Sequence, residues 1–146
     1  MTIREAASHD VEAIVAMGVH FIAGTTYGDH LSINPLQLRD FAGRCVSGGL
    51  GESAILLSEE DGVTTGMIGL LVAPHPFSGD RTASELFWWV EPSHRGHGLR
   101  LMRAAEAWAV QHGAARLQMV APNERVAKLY RARGYTQLES TYQRSL

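Results

Sequence analysis

At 146 residues the chain is long enough to bury one sizeable core and too short for two comfortable ones. Hydrophobic residues make up 45% of it and charged residues 19%, ordinary values that exclude disorder on a large scale. A formal net charge of −2 gives no overall drive toward nucleic acid or an anionic membrane. No run approaches the ~20 apolar residues needed to span a bilayer, and Met1-Thr2-Ile3-Arg4-Glu5 lacks the apolar stretch of a signal peptide. Cys45, the one cysteine, has no internal disulfide partner and suits a reducing, cytoplasmic setting. The expectation is one soluble domain over 1–146.

Thr2 to Ala6 is short enough for an edge strand. Ser8 is placed to cap a helix in which Val11, Ile14, Val15, Val19 and Ile22 fall at helical spacing. Gly24 to His30 reads as loop, and Pro35 suits the first turn of a second helix running toward Val46, ended by Ser47-Gly48-Gly49. Ala54 to Ser58 and Val63 to Ala73 flank the polar turn Glu59-Glu60-Asp61-Gly62 and predict an antiparallel hairpin. Ser78 to Thr82 is a loop, after which Leu86-Phe87-Trp88-Trp89-Val90 is apolar on both faces and belongs inside a sheet.

Glu91 to Gly98 is polar, and Leu101, Met102, Ala105, Trp108 and Ala109 then form an apolar stripe that stops at Gly113. Arg116 to Ala121 alternates as a strand, Glu124 to Arg133 predicts a short helix ended by Gly134, and Tyr135 to Tyr142 closes as a last strand. The sum is an α/β or α+β domain around one sheet.

Val90-Glu91-Pro92-Ser93-His94-Arg95-Gly96-His97-Gly98-Leu99-Arg100 carries the most chemistry. It leaves a buried strand and opens an amphipathic helix. Glycines let backbone N–H groups turn toward an anion, and the helix dipole adds a positive end, so phosphate or pyrophosphate is the natural ligand. Neither nucleotide fingerprint fits: GxxxxGK[ST] is absent, and GxGxxG is broken by Arg100-Leu101.

This segment resembles the acetyl-CoA motif of the GNAT superfamily, [Q/R]-x-x-G-x-[G/A] after a strand ending in V-x-P. Val90-x-Pro92 leads into Arg95-x-x-Gly98-x-Arg100, where Arg100 departs from the usual Gly or Ala. A register using Gly96 and Gly98 as the small residues, with Ser93 in the Arg position, is the alternative. Asn123-x-x-Val126-x-x-Leu129-Tyr130-x-x-x-Gly134-Tyr135 is similar to the family's closing signature, with Val126 in place of Ala. The resemblance covers roughly residues 54 to 142. It implies a central mixed, mostly antiparallel sheet of six to seven strands flanked by about four helices. It also implies acetyl transfer from acetyl-CoA to a primary amine of a small molecule or peptide, without metal.

The resemblance places the CoA pyrophosphate on Arg95, Gly96, His97, Gly98, Leu99 and Arg100, and the pantetheine arm along Trp89 and Val90 with Asn123. Asn123 also reads as a helix cap. Tyr130 falls where the family protonates the departing thiolate, or else is a core tyrosine. Glu85 is the first candidate base, or a solvated strand-end carboxylate, with Glu91 second. His20, Tyr27 and His30 border the expected acceptor region. His94 and His97 have a spacing that serves metal, but no third ligand is evident and phosphate explains the loop better. Cys45 lies far from both motifs in sequence, which disfavours a thiol intermediate. A non-catalytic acyl-CoA-binding module is the rival reading, and a toxin acting on charged tRNA is disfavoured by the net charge. A homodimer is compatible with the resemblance.

Overall fold

The computed structural model describes residues 1–146. After β1 (Thr2–Glu5) a 3-10 turn over Ser8–Asp10 leads into α1 (Val11–Ala23). Ser8 is not the cap that the sequence suggested. Asp10 occupies the N-cap position of α1 without a side-chain bond to the helix; its carboxylate accepts instead from Ala7 N–H of the preceding turn at 2.8 Å, while the Arg4 guanidinium grips both its oxygens at 2.7 and 2.9 Å. The Arg4 bond holds the Asp10 carboxyl down at about 2. Asn34 caps α2 (Pro35–Ser47) as short polar residues do, its side chain accepting from Leu36 and Gln37 N–H at 3.1 and 3.2 Å.

Next, β2 (Glu52–Glu60) and β3 (Val63–Pro74) form the expected hairpin, with β2 two residues longer than foreseen at each end and β3 one residue longer at its last. Its turn is Asp61-Gly62, with φ of 51° and 79°, the two-residue geometry whose twist matches the strands. β4 (Arg81–Val90) pairs antiparallel with β3 and starts five residues before the bulky run, absorbing the predicted loop end at Arg81-Thr82. A 3-10 turn over Pro92–His97 passes into α3 (Gly98–Gln111), which crosses over to β5 (Arg116–Gln118), parallel to β4. α4 (Glu124–Ala132) follows.

One five-stranded sheet in the order β1-β2-β3-β4-β5 results, antiparallel except for its last pair, with four α-helices. The expected count of six to seven strands is too high: residues 135–146 form no strand. Alternation from Tyr135 would give one face only Leu138 and Tyr142 among its large apolar residues. Both stay exposed, at 73% and 91%. With β5 three residues long, there is little ladder for another strand to join.

The core has two faces. Leu56, Ile68, Leu70, Ala83 and Val90 pack against the α3 stripe Leu101, Ala105, Trp108 and Ala109, as its spacing predicted. On the other face Ile55, Leu57, Met67 and Trp89 pack against Ile14 and Met17 of α1 and Ala42 and Cys45 of α2. Burial also pushes the Cys45 thiol up, a group held away from reaction. No helix is long and apolar enough to cross a membrane.

Candidate functional site

Two features of β4 define the site. The first is a break in register with β3. Gly69 faces Phe87 but Leu70 faces Glu85, so Leu86 has no opposite number. Such a bulge interrupts the ladder and lets neighbouring side chains change face. The second is the short reach of β5, which matches β4 only at Thr82, Ala83 and Ser84. From Glu85 to Val90 the β4 edge has no strand beside it, and a wedge opens between β4 and the chain after Gln118.

Glu85 stands where the two strands part, in the middle of β4 and not at its start. Its Oε2 accepts from Val120 N–H at 3.0 Å. Burial pushes the carboxyl up to about 7, and the Val120 N–H only partly opposes that shift. Tyr130, on α4 and 5% exposed, donates its hydroxyl to Val120 O at 3.0 Å. Burial, and after it the Glu85 charge, push the phenol up. The Tyr130 ring stacks on Trp88 with centroids 6.3 Å apart and lies 5.3 Å from Tyr135. Tyr135 in turn donates to Glu106 Oε1 at 3.1 Å, beside the Arg133–Glu106 ion pair. The structure thus brings Glu85 and Tyr130 to one residue, Val120. Sequence reading did not single out Val120, because a backbone contact leaves no side-chain signature; the nearby Pro122, which favours extended chain before it, is the only trace.

At the far end of β4, Gly98 is buried and begins α3, whose first turn has no side-chain cap. A Cβ on Gly98 would come within 3.3 Å of Trp88 Cζ2, whereas one on Gly96 would meet nothing within 4 Å. Glycine at 98 therefore allows the helix start and the Trp88 ring to approach one another. Leu99 and Arg100 are exposed, and the Arg100 guanidinium has no protein partner, which accommodates the long side chain that the motif lacks. Arg95 lies over the Trp89 ring, 4.5 Å from its centroid. Trp88 Nε1 and Trp89 Nε1 are buried without a hydrogen-bond partner. Asn123 caps α4, accepting from Val126 N–H at 3.0 Å.

His94 and His97 both turn back onto the β2–β3 hairpin. His94 Nε2 is 3.4 Å and His97 Nε2 3.9 Å from Glu60 Oε2, and His97 Nδ1 is 3.1 Å from Thr65 Oγ1. Glu60 was invisible to spacing arguments because it lies on another strand. No group of three or more His, Cys, Asp or Glu side chains is arranged to hold a metal ion. Glu91, the second base candidate, is instead bound to His20, Oε1 to Nδ1 at 2.7 Å. Tyr27 packs on Phe21, and His30 O receives Gln143 Nε2 at 3.3 Å.

Solved structures share this architecture at low sequence identity. A ribosomal-protein-alanine N-acetyltransferase from Brucella melitensis superposes with a TM-score of 0.73 at 17% identity, covering 100% of both chains. An aminoglycoside 6′-N-acetyltransferase from Acinetobacter haemolyticus gives 0.73 at 18%, covering 100% of this chain and 98% of that one. A predicted acetyltransferase with acetyl-CoA from Clostridium acetobutylicum gives 0.77 at 14%, covering 99% of this chain and 95% of that one. These likenesses concern the fold alone. No curated protein matches the sequence. The profile of the acetyltransferase (GNAT) family matches residues 26–135, well over half of the chain and all of the wedge, the glycine loop and α4, and so the chain belongs to that family.

Proposed function

We propose that the protein transfers an acetyl group from acetyl-CoA to a primary amine of a small molecule or peptide. The observation that carries this reading is the unpaired β4 edge from Glu85 to Val90, which runs from a carboxylate and a phenol to an uncapped helix start. At about 3.3 Å per residue that edge is roughly 16 Å long. It offers strand-type hydrogen bonds to an extended arm and, beyond them, backbone N–H groups to a diphosphate. The open surface at Gly96 and the exposed Arg95 and Arg100 on either side of it fit such a ligand.

In this reading Trp89 and Val90 would pair with the pantetheine arm. Arg95, Gly96, His97, Gly98, Leu99 and Arg100 would hold the pyrophosphate, and Asn123 would orient the arm while capping α4. Acetyl-CoA supplies the thioester-activated acyl group. Glu85, poised near neutral pH by burial, accepts the proton that the neutral amine sheds as its C–N bond forms. Tyr130, kept protonated by its surroundings, is the proton source for the departing sulfur. A backbone N–H of β4 beside the bulge steadies the developing oxyanion.

The Tyr130 proton is already given to Val120 O, which favours as second reading a module that binds acyl-CoA without turning it over. Titration calorimetry with acetyl-CoA, with CoA and ATP as controls, tests both. Micromolar binding that prefers the CoA compounds supports the site, and thiol release with an amine panel then separates enzyme from sensor. A folded protein that binds neither CoA compound removes both readings.

A further inference from the structure

We propose that Glu85 and Tyr130 operate as one unit bridged by Val120, in which the protonation of Glu85 governs how firmly the phenol's proton is held. The acyl-transfer reading enters only to say what the unit is used for. Val120 lies beyond the end of β5 in no strand or helix and is 50% exposed. Its N–H goes to Glu85 and its C=O takes the Tyr130 proton, both at 3.0 Å. The two side chains come from β4 and α4, so residue 120 ties those elements by hydrogen bonds beside the Trp88–Tyr130 stack. The two bonds use the peptide groups on either side of one Cα, so loosening either frees the residue that the other depends on.

The coupling has a sign. An ionised Glu85 is the stronger acceptor for Val120 N–H, and its charge opposes formation of a phenolate at Tyr130. When Glu85 takes a proton, the bond to Val120 weakens and the charge that opposed phenol ionisation disappears. Proton uptake at the base therefore eases proton release at the acid. In the transfer itself the amine's C–N bond forms, the C–S bond breaks, one proton passes from the amine to Glu85, and one passes from Tyr130 to the thiolate. A proton moving back from Glu85 to the phenolate through water restores both groups. The remaining titratable and charged groups around the pair are Tyr27, Tyr135, and, through Tyr135, Glu106 and Arg133. Glu106 already pairs with Arg133.

The test is an NMR titration of the ligand-free protein between pH 5 and 9, following the Val120 amide and the Tyr130 ring, the latter assigned by its absence in Y130F. The expected result is that both signals titrate with one shared midpoint, near the value of about 7 held by Glu85. Glu85→Gln, which keeps an acceptor for Val120 N–H but cannot ionise, abolishes both responses. A Val120 amide that titrates while the Tyr130 ring does not, or a Tyr130 response that survives E85Q, overturns the proposal. A turnover cycle gives an independent reading: Tyr130→Phe lowers kcat about tenfold or more in the wild type but less than about threefold in Glu85→Ala. Additive losses overturn the coupling. Calorimetry on the wild type keeps the two ideas apart, since failure to bind acetyl-CoA removes the acyl-transfer reading while the NMR result still decides the coupling.

Discussion

The two ends of the β4 edge are built by different means. The Glu91–Arg100 end is a local device, in which one continuous stretch supplies a 3-10 turn, two glycines and a helix start. The Glu85 end is assembled from three places far apart in the chain: residues 85, 120 and 130. A local device fails when its own backbone is crowded. An assembled one fails when any of its parts moves, and its parts sense one another's charge.

Disrupting the assembled end should have the largest effect. If Tyr130 is the proton donor proposed above, Tyr130→Phe is expected to lower kcat for acetyl transfer about a hundredfold with acetyl-CoA affinity little changed. A matched loss in both would relocate Tyr130 to binding. The next effect is in stability. The folded-state carboxyl of Glu85 is raised to about 7 from 4.5, so the folded protein binds the extra proton and the contribution is fully present below pH 4.5. It is lost as pH rises through 7, at a cost of about 3 kcal/mol. Denaturant melts at pH 5 and pH 8 should show Glu85→Gln losing less stability than the wild type between the two, and parallel curves would refute the buried-carboxylate picture. Activity that depends on ionised Glu85 should rise through the same range and flatten in Glu85→Gln.

Crowding the local end comes third. Gly98→Leu drives a side chain into Trp88, and acetyl-CoA affinity is expected to fall about tenfold, equivalent to about 1.4 kcal/mol, in the same calorimeter. Undiminished affinity would detach the loop from phosphate. The smallest effect belongs to His97→Ala. It removes only the tie to Thr65 and Glu60 that steadies the loop, and a two- to threefold rise in Kd, or roughly 0.5 kcal/mol, should be measurable without any change in kcat.

The same contrast explains what could be read in advance. The local end was legible as structure because it is contiguous: the loop after β4 opens a helix at Gly98, and the α3 stripe is buried residue for residue. Helix spans were legible for the same reason, from Pro35 at the start of α2 to Asn123 ahead of α4. The bulge at Leu86 was not, because Leu86-Phe87-Trp88-Trp89 is apolar throughout and gives no alternation to break. Nor was the role of Val120, a backbone contact made only once β4 and α4 are in place. The closing strand at 135–142 was overread from β-formers without an apolar face to anchor them. Ser8 does not cap α1 because a 3-10 turn intervenes, its last residue Asp10 held by Arg4 of β1.

Strand order carries a consequence for folding. β2, β3 and β4 form a meander whose partners are near in sequence, whereas β1 must find residues 56–59 from position 2 onward and β5 must return across α3. Loop closure makes near partners cheap and distant ones slow. The meander is therefore expected to form first and open last. Amide hydrogen exchange should be slowest in β3 and much faster in β5 and at Val120. The molecule would then spend brief intervals with its central sheet intact and its wedge undone, and a ligand seated in the wedge would act as the missing strand that shortens them.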